Sequence, residues 1–221
     1  MKNIPRIFVG DNVRTGDVLP VTRDVAHYLT RVMRRRDFLA FGGGYEYNAT
    51  LGDDDKSIII GDRTPHVDPT YDIELYFAPI KRTDDLINMA TQMGVCALHP
   101  VITERTVALH INWGRMQKIA TEAAEQSNRN SVPKIYEPIS FLDLNLGGRC
   151  FADERFPYND ADNDTELNCV NGRAILVGPE GGFSDAEFAA LDAAGAVPIS
   201  LGKTILRAEV AAAIAIYRIR K

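Results

Sequence analysis

Short apolar segments, RIFV, DFLAF, EYNATL and SIII, alternate with glycine and aspartate clusters such as FGGGY and LGDDDKS over the first seventy residues. Segments of this length bounded by turn residues predict β-strands of a small barrel or open sheet. Within them, DVAHYLTRVM spaces Val25, Leu29 and Val32 at helical intervals, with Asp24 placed as a cap, and predicts one short helix turning its basic residues outward. After the polar stretch GDRTPHVDPT the pattern changes to IELYFAPI, DDLINMATQMG, CALHPVI and NWGRMQKIATEAAEQSN. Strands alternating with helices predict a mostly parallel α/β domain. In the longest helix Met116, Ile119, Ala120, Ala123 and Ala124 share one face, directed at a core. The expected division is residues 1–70, a β-rich domain, and residues 71–221, an α/β domain.

Farther along, GRCFADE, RAILVGPE and AVPISLGKTILRAE each carry an apolar segment into a loop of glycine, proline or charge. Ligands of open α/β sheets bind beyond the carboxyl ends of the strands, so these three loops are the candidate site. The middle one reads GPEGG, then Phe183 and Ser184, with Glu187 at capping-box spacing, so a helix is expected directly after the turn. The glycine spacing fits neither GxGxxG nor GxxxxGK[ST], which argues against a dinucleotide fold or a phosphate loop.

Charge and composition narrow the picture. The 221 residues are 45% apolar and carry a net charge of -5, enough for a substantial core and contrary to a surface that is basic throughout. Arg23 and the run RVMRRR, with Arg31, Arg34, Arg35 and Arg36, make the densest local basic stretch. Cys96, Cys150 and Cys169 form no CxxC pair and are expected to be reduced, and His27, His66, His99 and His110 lack ligand spacing, so no metal is expected. No signal-like segment precedes RIFV, and a cytoplasmic location is expected.

The motifs LVGPEGGFSDAE (176–187), LGKTILRAE (201–209) and GRMQKIATEAAEQSNRNSVP (114–133), with HYLTRVMR and GGYEYNATL nearer the start, resemble the RsmE family of SPOUT methyltransferases. The resemblance implies methylation of N3 of a uridine in 16S ribosomal RNA by S-adenosyl-L-methionine. It implies a PUA-like β-barrel that binds RNA, followed by an α/β domain tied in a deep trefoil knot and working as a homodimer. The cofactor would lie among Ala152, Gly178, Glu180, Gly181, Gly182, Leu201, Gly202, Ile205 and Leu206. Arg207, at the start of the last helix, would orient a phosphate or stabilise charge on the uridine, and Glu209, an acid in the first helical turn, would either take the uridine proton or serve only the helix dipole. Arg23, Arg31, Arg34, Arg35, Arg36 and Arg129 would hold RNA, with Asn128 and Arg129 near the substrate cleft and the dimer interface.

The chain departs from the family's usual LGxRILRTET at Thr204, Ala208 and Val210, losing one arginine and two hydroxyls where RNA positioning and proton removal are expected. Two alternatives follow: a related SPOUT enzyme acting on a ribose or a tRNA base, and an RNA-binding or assembly protein that has kept the fold without the chemistry.

Overall fold

The computed structural model describes residues 4–69, 71–155 and 173–220. Contacts divide the chain into two units, Met1–Thr70 with Ala124–Val132, and Tyr71–Ala123 with Pro133–Lys221.

The first unit is a sheet of five strands in the order β1-β3-β4-β5-β2: β1 (Arg6–Phe8), β2 (Val18–Pro20), β3 (Asp37–Gly42), β4 (Tyr45–Leu51) and β5 (Ser57–Val67). β1 runs parallel to β3; the other pairs are antiparallel. The β3-β4 hairpin turns on Gly43 and Gly44, at φ 60° and 85°, left-handed values that suit a tight hairpin. Alternate residues of these strands, among them Phe38, Ala40, Leu51, Ile58 and Ile60, build the core with Leu29.

Two expectations change here. GDRTPHV, read as a polar connection, continues β5, where its residues alternate in burial and Thr64 donates to Glu46 Oε1 at 2.8 Å. The helix α1 (Arg23–His27) is capped not by Asp24, which lies in its first turn, but by Thr22, whose Oγ1 accepts from Val25 N, and it runs into a π-type turn over Tyr28–Val32. The wider turn rotates Val32 off the apolar stripe, leaving it 61% exposed while Leu29 is wholly buried.

Residues 124–132 belong to this unit because of Arg6. Its guanidinium pairs with Glu46 at 2.9 Å, donates to the carbonyls of Ala124, Glu125 and Arg129, and reaches Asn130 Oδ1. Asp68 accepts from Asn130 N and Ser131 Oγ.

In the second unit β6 (Ile73–Phe77), β7 (Val95–Ile102), β8 (Lys134–Ile135), β9 (Ile139–Ser140), β10 (Cys150–Ala152), β11 (Arg173–Val177) and β12 (Val197–Ile199) form one parallel sheet. Its order is β12-β10-β11-β6-β7-β8, with β9 pairing the end of β7. Helices α2 (Thr83–Gln92), α3 (Trp113–Gln126, assigned here as far as Ala123), α4 (Asp185–Ala193) and α5 (Ala208–Arg220) connect or flank the strands. Met116, Ala120 and Ala123 are buried, as the helical spacing predicts. Phe151 and Phe183 pack edge-on or tilted against each other and against Phe188 of α4, the ring centroids 5.6 to 6.4 Å apart. All strands point one way, so the ends of β10, β11 and β12 open on one edge of the sheet.

Cys96 donates its thiol to Ile73 O at 3.2 Å, while Cys150 is disulfide-bonded, contrary to the expectation of reduced cysteines and uncommon in a reducing compartment. Cys169 lies outside the described residues.

Candidate active site

Beyond the ends of β10, β11 and β12 the three loops line one cavity of about 460 Å³, a size ordinary for a small-molecule site. Its walls include Ala152, Gly178, Glu180, Gly181, Gly182, Leu201, Gly202, Ile205 and Leu206, so the structure brings together all the residues expected at a cofactor. Arg207 also borders it, as do Asp153, Glu154, Thr204 and Ala208. Glu209 does not: it is buried in the first turn of α5, with Arg82 Nη1 at 3.9 Å. An acidic group there also favours the helix dipole.

The middle loop is held from several sides. Gly182 N donates to Pro179 O at 2.9 Å, closing the turn, and Gly182 takes φ 68°. Ser184 then caps α4: its Oγ accepts from Glu187 N while Glu187 Oε2 accepts from Ser184 N at 2.9 Å, the expected reciprocal pair. Lys81 N donates to Glu180 Oε1 at 3.0 Å, Glu104 N to Glu187 Oε1 at 2.8 Å, and Arg105 Nη1 to the carbonyls of Gly181 and Phe183.

Two of the glycines answer to the protein itself. A Cβ on residue 182 would land on Glu154 Oε1, and one on residue 178 would stand 3.2 Å from the Phe183 ring. Residue 181 has room, its nearest neighbours being Arg105 carbons at 3.6 Å. Burial pushes the Glu154 carboxyl above its ordinary value, the nearby Asp153 charge adds to the shift, and the Phe183 amide and Arg155 oppose it. Arg155 forks onto Asp153 and Asp192, tying the first loop to α4, and its hydrogen bond holds the Asp192 carboxyl below the usual range. Asp153 N donates to Ile199 O, which joins the first loop to β12.

Sequence reasoning passed over Glu154, Arg105, Lys81 and Arg82. Glu154 carried one available signal, an acid two residues past a strand end in FADE; the others come from loops after β6 and β7 that no local pattern links to the glycine turn.

The residues expected to meet RNA are not equivalent. Arg23, Arg31 and Arg34 are exposed and Arg35 is half-buried. Arg36 is engaged with its own unit, pairing with Asp55 at 2.9 Å and donating to the carbonyls of Leu51 and Gly52. Arg129 is only 2% exposed and donates to Ser131 Oγ. Asn128, at φ 63°, and the bond from Arg129 N to Ala124 O close the end of α3 as a helix C-terminus. Among the described residues no cluster of three or more histidine, cysteine or acidic side chains is placed to hold a metal. None of the described helices is long and apolar enough to cross a membrane.

An RNA methyltransferase domain family matches residues 67–220. A curated relative from Synechocystis, a ribosomal RNA small subunit methyltransferase E, is 31% identical over 211 residues, covering 87% of this chain and 69% of that protein. The crystal structure of a ribosomal RNA small subunit methyltransferase E from Neisseria gonorrhoeae, bound to S-adenosyl methionine, superposes with a TM-score of 0.84 at 25% identity over 99% of this chain and 97% of that one. A methyltransferase from Legionella pneumophila, solved with its cofactor, matches with a TM-score of 0.80 at 23% identity over 99% and 97% of the two chains, and speaks to fold alone. These likenesses carry the fold class expected from the sequence, the SPOUT α/β-knot methyltransferase with a small β-domain before it. The chain belongs to the ribosomal RNA small subunit methyltransferase E family of RNA methyltransferases.

Proposed function

We propose that this protein methylates N3 of a uridine in 16S ribosomal RNA, using S-adenosyl-L-methionine held by the three loops. The observation that carries the reading is their convergence on one cavity in a chain of this family. The residues suit the cofactor: Ala152, Val177, Leu201, Ile205 and Leu206 offer apolar walls for a purine, and the glycine turn offers backbone groups for its edge. Glu154 and Glu180 complement a sulfonium or an ammonium group, and Arg207 complements a carboxylate or a developing anion.

When bound, S-adenosylmethionine supplies a methyl group already activated on a cationic sulfur, so that transfer to N3 forms the N–C bond, breaks the C–S bond and leaves a neutral thioether. The N3 proton departs to solvent water, leaving the uridine anion whose N3 lone pair takes the methyl group. Arg207, exposed at the start of α5 and bordering the cavity, is assigned to stabilise the uridine anion. We assign Glu209 to positioning Arg82 beside α5, because its carboxylate is paired there and borders no part of the cavity. The loops narrow the approach of methyl donor and acceptor, which is where most of the rate is gained in a reaction whose electrophile comes preformed.

RNA is assigned to the first unit, through Arg23, Arg31, Arg34 and Arg35, a local basic stretch on an acidic chain. The domain reading is a β-rich RNA-binding unit of residues 1–70, to which residues 124–132 are added, and a methyltransferase unit in the rest. A homodimer is supported by α5, which shows Val210, Ala213, Ile214 and Tyr217 at helical spacing, Val210 38% and Tyr217 55% exposed. A cytoplasmic location is proposed with it, since that is where a ribosomal RNA substrate would be met.

The test is methylation in vitro of small subunits lacking the modification, with labelled S-adenosylmethionine and mass spectrometry of the nucleosides. N3-methyluridine is the expected product. A methylated ribose or another base would move the chain to a different RNA target, and no transfer by a protein that binds RNA would favour the assembly role.

A further inference from the structure

We propose that Arg105 is a positioning residue for the cofactor, acting through the GPEGG turn. The proposal rests on the reading that S-adenosylmethionine binds that turn.

Arg105 belongs to the loop after β7, seventy-six residues before the carbonyl that it holds. Its Nη1 donates to Gly181 O at 2.9 Å and to Phe183 O at 3.1 Å, bracketing Gly182. These two bonds set the direction of the 181–182 and 183–184 peptide planes, the first of them adjoining Gly182, the one residue of the GPEGG turn whose φ is positive. A glycine-rich turn has many accessible conformations, so groups that fix its carbonyls also fix where its free amides and Cα atoms face the cavity. The neighbouring bond from Glu104 N to Glu187 Oε1 anchors the same loop to the first turn of α4, which gives Arg105 a fixed base. On the other side Glu154 fills the space above Gly182. The turn thus meets an arginine from one loop and a carboxylate from another.

An arginine suits the task because one guanidinium nitrogen carries two protons in a fixed plane, enough for two carbonyls at once. Arg105 is exposed, so the competing role is a solvated charge or a contact to RNA phosphate. The two alternatives differ in what they move. A positioning residue changes affinity for the cofactor and leaves the salt dependence of RNA binding alone; a phosphate contact does the reverse.

The test uses the whole chain: Arg105→Ala, Arg105→Gln and, as a control for the loss of an exposed cation, Arg115→Ala, whose guanidinium pairs with Asp84 at the surface. Affinity for S-adenosylmethionine is measured by calorimetry, and KM for cofactor and for RNA separately from kcat. The expected result is roughly a tenfold or greater loss of cofactor affinity in Arg105→Ala, a smaller loss in Arg105→Gln, which keeps an N–H donor, and none in Arg115→Ala. KM for RNA and its salt slope stay at the wild-type values. Unchanged cofactor affinity in a folded Arg105→Ala overturns the proposal, as does a defect confined to RNA binding. Failure of the wild type itself to bind S-adenosylmethionine would instead sink the underlying reading. If Arg105→Ala does not fold, Arg105→Gln carries the test.

Discussion

Glu154 Oε1 occupies the position that a Cβ on residue 182 would need, so the carboxylate of one loop and the missing side chain of another are a matched pair. The match orders the effects of substitution across the glycine turn. Gly182→Ala meets both the carboxylate and an unfavourable φ of 68°, and should cost about 1–3 kcal/mol of stability and most of the cofactor affinity. Gly178→Ala, with the Phe183 ring at 3.2 Å, should be milder, and Gly181→Ala close to neutral, its nearest atoms lying at 3.6 Å. Denaturant unfolding of the three variants beside calorimetry checks the order; equal tolerance at 178, 181 and 182 would contradict it.

The same carboxyl should make stability depend on pH. Burial raises the pKa of Glu154 in the folded protein above its ordinary 4.5, so the native state holds this proton more tightly than the unfolded chain. The contribution is therefore fully present below 4.5 and is lost as pH rises through the folded value. Glu154→Gln cannot ionise, and the stability of wild type relative to the variant should fall as pH is raised from acid to neutral. Melting curves across that range test the sign; a relative gain for wild type on raising the pH would refute it.

Ser184→Ala removes one half of the capping box. A loss of about 1 kcal/mol is expected, which for a chain of this size lowers Tm by roughly 2–4 °C. Glu187→Ala should cost more, because Glu187 is buried and accepts from both Ser184 N and Glu104 N. Scanning calorimetry of both variants provides the comparison.

How far the sequence reveals this arrangement depends on range. The capping box, the strand ends of RAILVGPE and GRCFADE and the buried face of α3 are legible because each is decided within a few residues. Val32 is misjudged because a π-type turn changes the period in the middle of a short helix. The polar end of β5 is missed because its pairing, not its hydrophobicity, makes it a strand, as the bond from Thr64 to Glu46 illustrates. Arg6, Arg105 and Glu154 act on residues between 28 and 124 positions away, and no local pattern carries such a partner. Likewise Arg129, expected from EQSNRN to hold RNA, is drawn inside because Arg6 and Asp68 hold the segment around it.

The arginines separate into two groups by their partners. Substituting Arg31, Arg34 and Arg35 together should weaken RNA binding uniformly and reduce the salt slope by about 1 per lost phosphate contact, with little effect on unfolding. Arg36→Ala and Arg129→Ala should instead lower stability, since Arg36 holds the 51–55 loop and Arg129 is buried. Filter binding against salt, run beside thermal melts, distinguishes the groups; a steep loss of RNA affinity in a stable Arg129→Ala would contradict the assignment.

The most direct measurement is calorimetric titration of the purified protein with S-adenosylhomocysteine, wild type against Gly182→Ala. Saturable binding by the wild type is expected, lost or strongly weakened in the variant at a temperature where both are folded. A well-folded wild type that releases no heat and shows no binding would contradict the placement of the cofactor on the glycine turn.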